Sequence, residues 1–349
     1  MYNKFILLTI ATILLLSCEK VNKNLISEFK ESPEKTINVK NRITEITTDL
    51  LIGFGEFSII DTLLVYNDFA STTDKGIHLL NKNTFEYVTS TGYLGRGPGE
   101  IISLGANAVS PDQSVLWVDD HGNQVRWKFP LDSILKNEDF LPQDKVPMNP
   151  NFFLKEYEFL NDTTVLGIAI IPLSANSMEM AMAKSDFRTT QTEKFGFKHP
   201  DIKDRYETYA TSKLSIKHNI YINCFERIDL MTICDLDGNL IKAISSEQKN
   251  NETHDFLIHF FKNADVYKNL ILVSYMGKEA VIQEEGKAPE FFSPTKLLVF
   301  DVDGTFIKTI EVGYQFSSFC VDEDNERVVL FFEDRENPLG FFSLKDIGL

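Results

Sequence analysis

The chain has 349 residues, 43% hydrophobic and 12% aromatic, with 35 Lys+Arg against 51 Asp+Glu and a formal charge of −16. That acidic balance argues against a nucleic-acid binder, because neutralising phosphates needs clustered Lys and Arg, and the apolar content argues against a disordered chain. Phe is the conspicuous residue, at 28 copies, and aromatic enrichment favours pleated, half-buried strands.

The first eighteen residues read as an address. Lys4 gives a short positive start, and Phe5 to Leu16 form an apolar run broken only by Thr9 and Thr12. A run of about a dozen residues is too short for a transmembrane helix, which needs ~20, so it reads as a signal-peptide core. Its ending, Leu15-Leu16-Ser17-Cys18, resembles a bacterial lipobox. The resemblance implies cleavage after Ser17, acylation of Cys18 and a lipid anchor in the cell envelope, with the outer membrane as the expected location. Losing Lys4 with residues 1–17 takes the formal charge from −16 to −17. Glu19 to Lys35 is polar and reads as a flexible tether. The remaining cysteines, Cys224, Cys234 and Cys320, are odd in number and lack metal-type spacing. Cys224 is expected opposite Leu230 and Cys234 opposite Ile220, so all three read as buried free thiols.

Downstream the chain repeats. Asp235-Leu236-Asp237-Gly238 and Asp301-Val302-Asp303-Gly304 each follow an apolar run and lead into alternating residues, the pattern of a β-hairpin with an Asp-Gly turn. Weaker copies begin at Asn81, Pro130, Lys184 and Lys345. The fourth position of each unit falls at 84, 133, 187, 238, 304 and 348, giving spacings of 49, 54, 51, 66 and 44. Units of about fifty residues have the size of four-stranded propeller blades. First strands are expected near 54–60, 104–110, 152–160, 208–216, 256–262 and 315–321. Second strands are expected at 63–66, 115–118, 165–170, 219–222, 270–275 and 328–332. Short helices are conceivable only at 132–137 and 174–183. The fold class is therefore all-β, a six-bladed β-propeller over residues 36–349. The last unit ends without a fourth strand, so Thr36 to Thr48, which alternate, are expected to supply it and close the ring.

In such a ring the loops between second and third strands, and those joining blades, share one face. The Asp-Gly turns lie on the other. Asp235-Leu236-Asp237-Gly238-Asn239 resembles the start of a calcium loop, but its twelfth position is Ser246, so the turn reading is preferred. The first face carries Gly92-Tyr93-Leu94-Gly95-Arg96-Gly97-Pro98-Gly99-Glu100, whose glycines and proline fix an irregular backbone. A lipobox, this Gly-Arg-Gly-Pro-Gly-Glu segment and six blade-like units together resemble the TolB-like six-bladed propeller lipoproteins of Gram-negative bacteria. The resemblance implies a cell-envelope propeller with no established activity.

Arg96 and Glu100 either reach a ligand in the central funnel or brace the ring. Asp119, Asp120 and His121 in the second unit, Glu226 and Arg227 in the fourth, and Asp334 and Arg335 in the sixth complete a charged mouth. A fifth-unit insertion, 276–295, carries Glu279, Glu284, Glu285, Glu290, Phe291 and Phe292 and could cover the mouth or dock a partner. The expected function is a non-enzymatic binding or protein-interaction module, anchored to the membrane, using this face for an envelope protein, peptide or glycan. No cofactor is expected. The alternative is a hydrolase or lyase with a divalent cation held in the funnel by Asp119, Asp120, Glu226 and Asp334. No Gly-x-Ser-x-Gly elbow or His-Glu-x-x-His motif accompanies it.

Overall fold

The computed structural model describes residues 22–202, 209–247, 257–284 and 286–349, and its fold is a six-bladed β-propeller. Each blade is an antiparallel sheet whose strands run outward from the ring axis in chain order. The innermost strands are Gly55–Ile60, Leu104–Val109, Phe153–Phe159, Ala210–Ser215, Ile258–Tyr267 and Phe316–Asp322. The expected signal peptide and Cys18 lie outside the described residues.

Alternation and turn chemistry explain the blades locally. In the fourth, Leu230–Asp235 pairs with Leu240–Ser246 across the Asp-Gly turn. Gly238 has φ +93°, a conformation glycine adopts without a Cβ penalty. Asp235 Oδ1 accepts hydrogen bonds from the Asp237 and Asn239 amides at 3.0 and 2.8 Å. The Asp301 carboxylate does the same for Asp303 and Thr305. These aspartates are occupied in holding their own turns, as the turn reading requires.

The last blade closes through the N-terminal segment. Thr44–Glu45 pairs antiparallel with Gly340 and Phe341, outside Leu339–Ser343. Two further strands depart from expectation, one in the stretch read as tether and one, Thr36–Asn38, in the stretch expected to close the last blade. Ile26–Phe29 runs parallel to the fourth blade's outer strand, with Ile26 opposite Ala243 and Phe29 opposite Ser246. Thr36–Asn38 adds in the same way to the fifth blade, opposite Thr309 to Glu311. The stretch read as tether therefore contains structure from Lys23 onward. Its polarity misled because an edge strand buries one face only, and here Phe29 alone carries the anchor.

Of the two candidate helices, the first forms as Leu131–Lys136. The second, 174–183, is instead the strand Ser177–Asp186, paired along its length with Thr164–Ser174. Phe side chains fill the seams between blades: Phe261 and Phe300 pack between the fourth and fifth, Phe319, Phe332 and Phe342 between the fifth and sixth. The cysteine register differs by one residue from expectation, Cys224 opposite Met231 and Cys234 opposite Tyr221. All three cysteines are free and buried.

Candidate functional site

The inner strands of all six blades converge on one central channel with a cavity volume of about 480 Å³. Side chains of an inner strand alternate between the axis and the seams, and polar ones reach the wall from several blades. Glu156, Tyr157 and Glu158 contribute from the third blade, Ser212 and Lys213 from the fourth, Asn263 and Asp265 from the fifth, and Glu56 from the first.

Two arrangements of charge line the channel. In one, Lys213 Nζ stands 3.3 Å from Glu158 Oε2 and 3.3 Å from Asp265 Oδ1, bridging three blades. Burial opposes the lysine's charge, but the two carboxylates win and hold it protonated well above the ordinary lysine range. Asp265 Oδ2 also accepts the Val321 amide at 2.7 Å, and Glu158 Oε1 the Leu214 amide at 2.7 Å. This group sets one cation between two carboxylates, both also hydrogen-bonded, and it ties blades three to six together.

The other arrangement is Glu56 with Glu156. Burial pushes Glu156 up to about 7, and the charges of Glu56 and Glu158 add to the rise, while Lys155 and the Ser212 amide oppose it. Desolvation inside the ring raises Glu56 too, against the pull of Lys155 and Lys262. Its side chain is nevertheless accessible from the channel, so a polar ligand can reach it. Neither glutamate has an ion pair within 4 Å among the described residues, in contrast to Glu158 and Asp265.

The loop residues singled out from sequence have other partners. Arg96 is exposed, whereas Glu100 Oε2 accepts the Gly97 amide at 2.6 Å and closes its own loop. A Cβ on Gly95 would sit 2.1 Å from that same oxygen, which explains the glycine. Asp119 and Asp120 are fully buried at the end of a strand rather than displayed on a loop. Asp119 pairs with Arg126, and Asp120 Oδ1 gathers the amides of Ile102, Ser103, Gly122 and Asn123 at 3.1–3.2 Å. His121 packs its ring on Phe153, centroids 4.3 Å apart, and burial holds its pKa below the ordinary value.

Glu226 Oε1 lies 3.0 Å from His259 Nδ1, joining the fourth and fifth blades. Arg227 stacks 3.9 Å over the Tyr209 ring. Asp334 accepts the Gln315 amide at 3.1 Å, and Arg335 pairs with Glu45 of the closing strand while lying over Tyr314. The sequence thus placed these residues on the right face, but most of them brace it. Asp119, Asp120, Glu226 and Asp334 do not converge, and among the described residues no three His, Cys, Asp or Glu side chains form a metal-holding group. The channel glutamates were missed. The signal available was the alternation of polar residues on two expected first strands, Glu56 with Ser58 and Glu156 with Glu158.

One Ser-His-Asp constellation exists in the first blade. His78 Nδ1 is 2.8 Å from Ser90 Oγ, and its Nε2 is 3.7 Å from Asp68 Oδ2. All three are under 10% exposed, and Asp68 also accepts the Gly53 and Ala70 amides. Burial lowers the His78 pKa. Ser90 is buried and also accepts from the Tyr87 hydroxyl at 3.1 Å, so the group ties the third and fourth strands of the blade together.

No family model matches the chain, and no curated protein matches it. Solved structures do share the fold. A protein from Bacteroides fragilis described as exported is 14% identical with a TM-score of 0.59, covering 91% of this chain and 98% of that one. A DUF4221-family member from Bacteroides vulgatus is 12% identical with a TM-score of 0.58, covering 87% and 98%. The U3-55K structure, 9% identical, has a TM-score of 0.50 and covers 87% and 99%. At these identities the likeness is one of fold.

Proposed function

We propose that this protein is a TolB-like propeller lipoprotein of the bacterial cell envelope, anchored through Cys18, that acts as a non-enzymatic binding module. The lipobox-like segment supports the anchor, the exported Bacteroides relative agrees with the compartment, and no helix among the described residues is long and apolar enough to cross a membrane. The site is the central channel rather than the rim, because most of the rim charges are engaged with neighbouring groups.

The observation that carries the reading is the pair Glu56 and Glu156, which face a cavity of about 480 Å³ without a neutralising ion pair. Bringing a positive charge between two raised carboxylates returns them to their charged form and relieves their repulsion. The fitting ligand is a small molecule, or a peptide side chain, ending in an amine or guanidinium. Thermal-shift titration with spermidine and arginine, against glutamate as a control, tests this. The melting temperature rises with the cationic probes in the wild type, and the response vanishes in the Glu56→Gln/Glu156→Gln double variant. An equal response to glutamate, or no response to any probe, overturns it.

A further inference from the structure

The way the N-terminal segment enters the ring decides which face meets the membrane. Its first described turn, Lys23–Leu25, sits beside the start of the fourth blade's outer strand, where Lys242 Nζ donates to Asn24 O at 3.2 Å. That strand begins immediately after the Asp235–Asn239 turn, so Asn24 lies at the face of the Asp-Gly turns. Ile26–Phe29 then climbs parallel to Ala243–Ser246, and the Glu247 amide reaches Phe29 O at 3.0 Å near the opposite face. The entry point is fixed by backbone pairing and by Phe29, whose ring is 3% exposed and packs edge-on against Tyr275 and Phe300.

Resting on the reading of Cys18 as the anchor, we infer that the face of the Asp-Gly turns is the membrane-proximal face, and that the loop-rich mouth is held away from the lipid. Four residue steps separate Cys18 from Asn22, a reach of at most roughly 14 Å even when fully extended. A six-residue blade strand is ~20 Å long before its loops are counted. The anchor therefore cannot pass up the side of the propeller to lay the mouth on the bilayer.

The competing arrangement has an attraction of its own. Leu51, Phe54, Ile102, Leu173, Ile282 and Phe291 are exposed large apolar side chains on loops or strand ends of the mouth face, Phe291 at 69% and Leu51 at 73%. An apolar rim of this kind would favour insertion into lipid if the tether allowed it. With the tether on the opposite face, those side chains are left free for a partner instead.

Energy transfer distinguishes the two. The full acylated chain is placed in vesicles containing a headgroup-labelled acceptor lipid, with a donor dye on Asp237→Cys at the turn face or on Phe291→Cys at the mouth. The remaining cysteines are buried and the Cys18 sulfur is acylated. Transfer from position 237 exceeds that from position 291 by roughly threefold or more, given the ~20 Å strand length between the faces. Inserting a ~20-residue Gly/Ser linker after Val21 abolishes the difference, since a flexible coil of that length spans the blade. Equal or stronger transfer from position 291, or a difference that survives the linker, overturns the orientation while leaving the anchor intact. Absence of the acyl mass on Cys18 overturns the anchor, and the orientation with it.

Discussion

Asp119 and Arg126 face each other across the second and third strands of the second blade, Nε to Oδ1 at 3.1 Å, with both side chains almost wholly out of solvent. Tyr157 of the third blade donates to the same carboxylate oxygen at 2.8 Å, and the guanidinium lies 4.9 Å from the Tyr157 ring and 5.2 Å from that of Phe187. Burial still lifts Asp119 to about 6, against the opposing charge of Arg126. The pair thus clamps two blades, and its stability rests on both partners being present. Arg126→Met leaves the carboxylate uncompensated and is expected to cost about 3–5 kcal/mol in denaturant unfolding. The double variant Asp119→Leu/Arg126→Met recovers most of that loss, which distinguishes an orphaned charge from lost packing.

The fifth strand on the fourth blade is held largely by one ring. Phe29 meets Phe261, Tyr275, Phe300 and Phe306 with centroids 5.3–6.0 Å apart. Phe29→Ala is expected to lose about 3–5 kcal/mol if the strand unfolds with the ring. Urea denaturation reports the midpoint, and limited proteolysis reports whether residues 30–35 become cleavable. An unchanged midpoint would mean that the strand adds nothing to the cooperative unit.

Glycine at position 105 makes room for a histidine. A Cβ there would lie 2.1 Å from His121 Nε2, so Gly105→Ala must displace the ring from Phe153. Overpacking of this sort costs about 1–3 kcal/mol. Adding His121→Ala removes the clash, so the double variant is more stable than the sum of the two single changes predicts. The thermodynamic cycle measures this coupling directly.

Glu100 and Arg96 of the glycine-rich connection differ in what they touch. Glu100 is bonded to the Gly97 amide, and Arg96 is exposed. Removing the charged acceptor in Glu100→Ala is expected to cost about 1.5–3 kcal/mol. Arg96→Ala stays within roughly 0.5 kcal/mol of the wild type, as surface changes do. Melting curves of the two variants side by side provide the check.

Glu156 makes a pH-dependent contribution whose sign follows from its raised pKa. The folded protein binds the Glu156 proton up to about pH 7, against the ordinary value of 4.5. Folding therefore takes up a proton between those limits, and this group's contribution falls as pH rises through them. Glu156→Gln lacks the effect. The melting temperature of the variant relative to the wild type should rise from pH 4.5 to pH 7.5, and a difference that is flat or falls across that range contradicts the assignment.

Much of the architecture was legible along the chain because its causes are local. The Asp-Gly turns at 235–238 and 301–304 carry their own hydrogen-bond acceptor and their own glycine, so each hairpin is specified within a few residues. A short apolar run such as Val115 to Val118 or Val328 to Phe332 marks a strand wherever it ends up in space. Closure by an N-terminal segment followed from counting strands; of residues 36–48, Thr44–Glu45 makes that pairing with Gly340 and Phe341, while Thr36–Asn38 joins the fifth blade instead. What composition obscured was the added strand at 26–29, where a polar edge looks like a tether until Phe29 finds its seam.

The site was another matter. Sequence determined which residues are charged and which loops share a face, and these follow from spacing alone. Only the closed ring decided that Asp119 would meet Arg126 and Tyr157, that Glu226 would meet His259, and that Arg335 would meet Glu45. Those partners lie on different strands, and often on different blades, so no local pattern reports them. The ring also decided that Glu56 and Glu156, a hundred residues apart, face one channel, while Glu158 and Asp265 share Lys213. The physical reason is that a charge is defined by its residue, but its availability for function depends on whether the folded chain has already neutralised it.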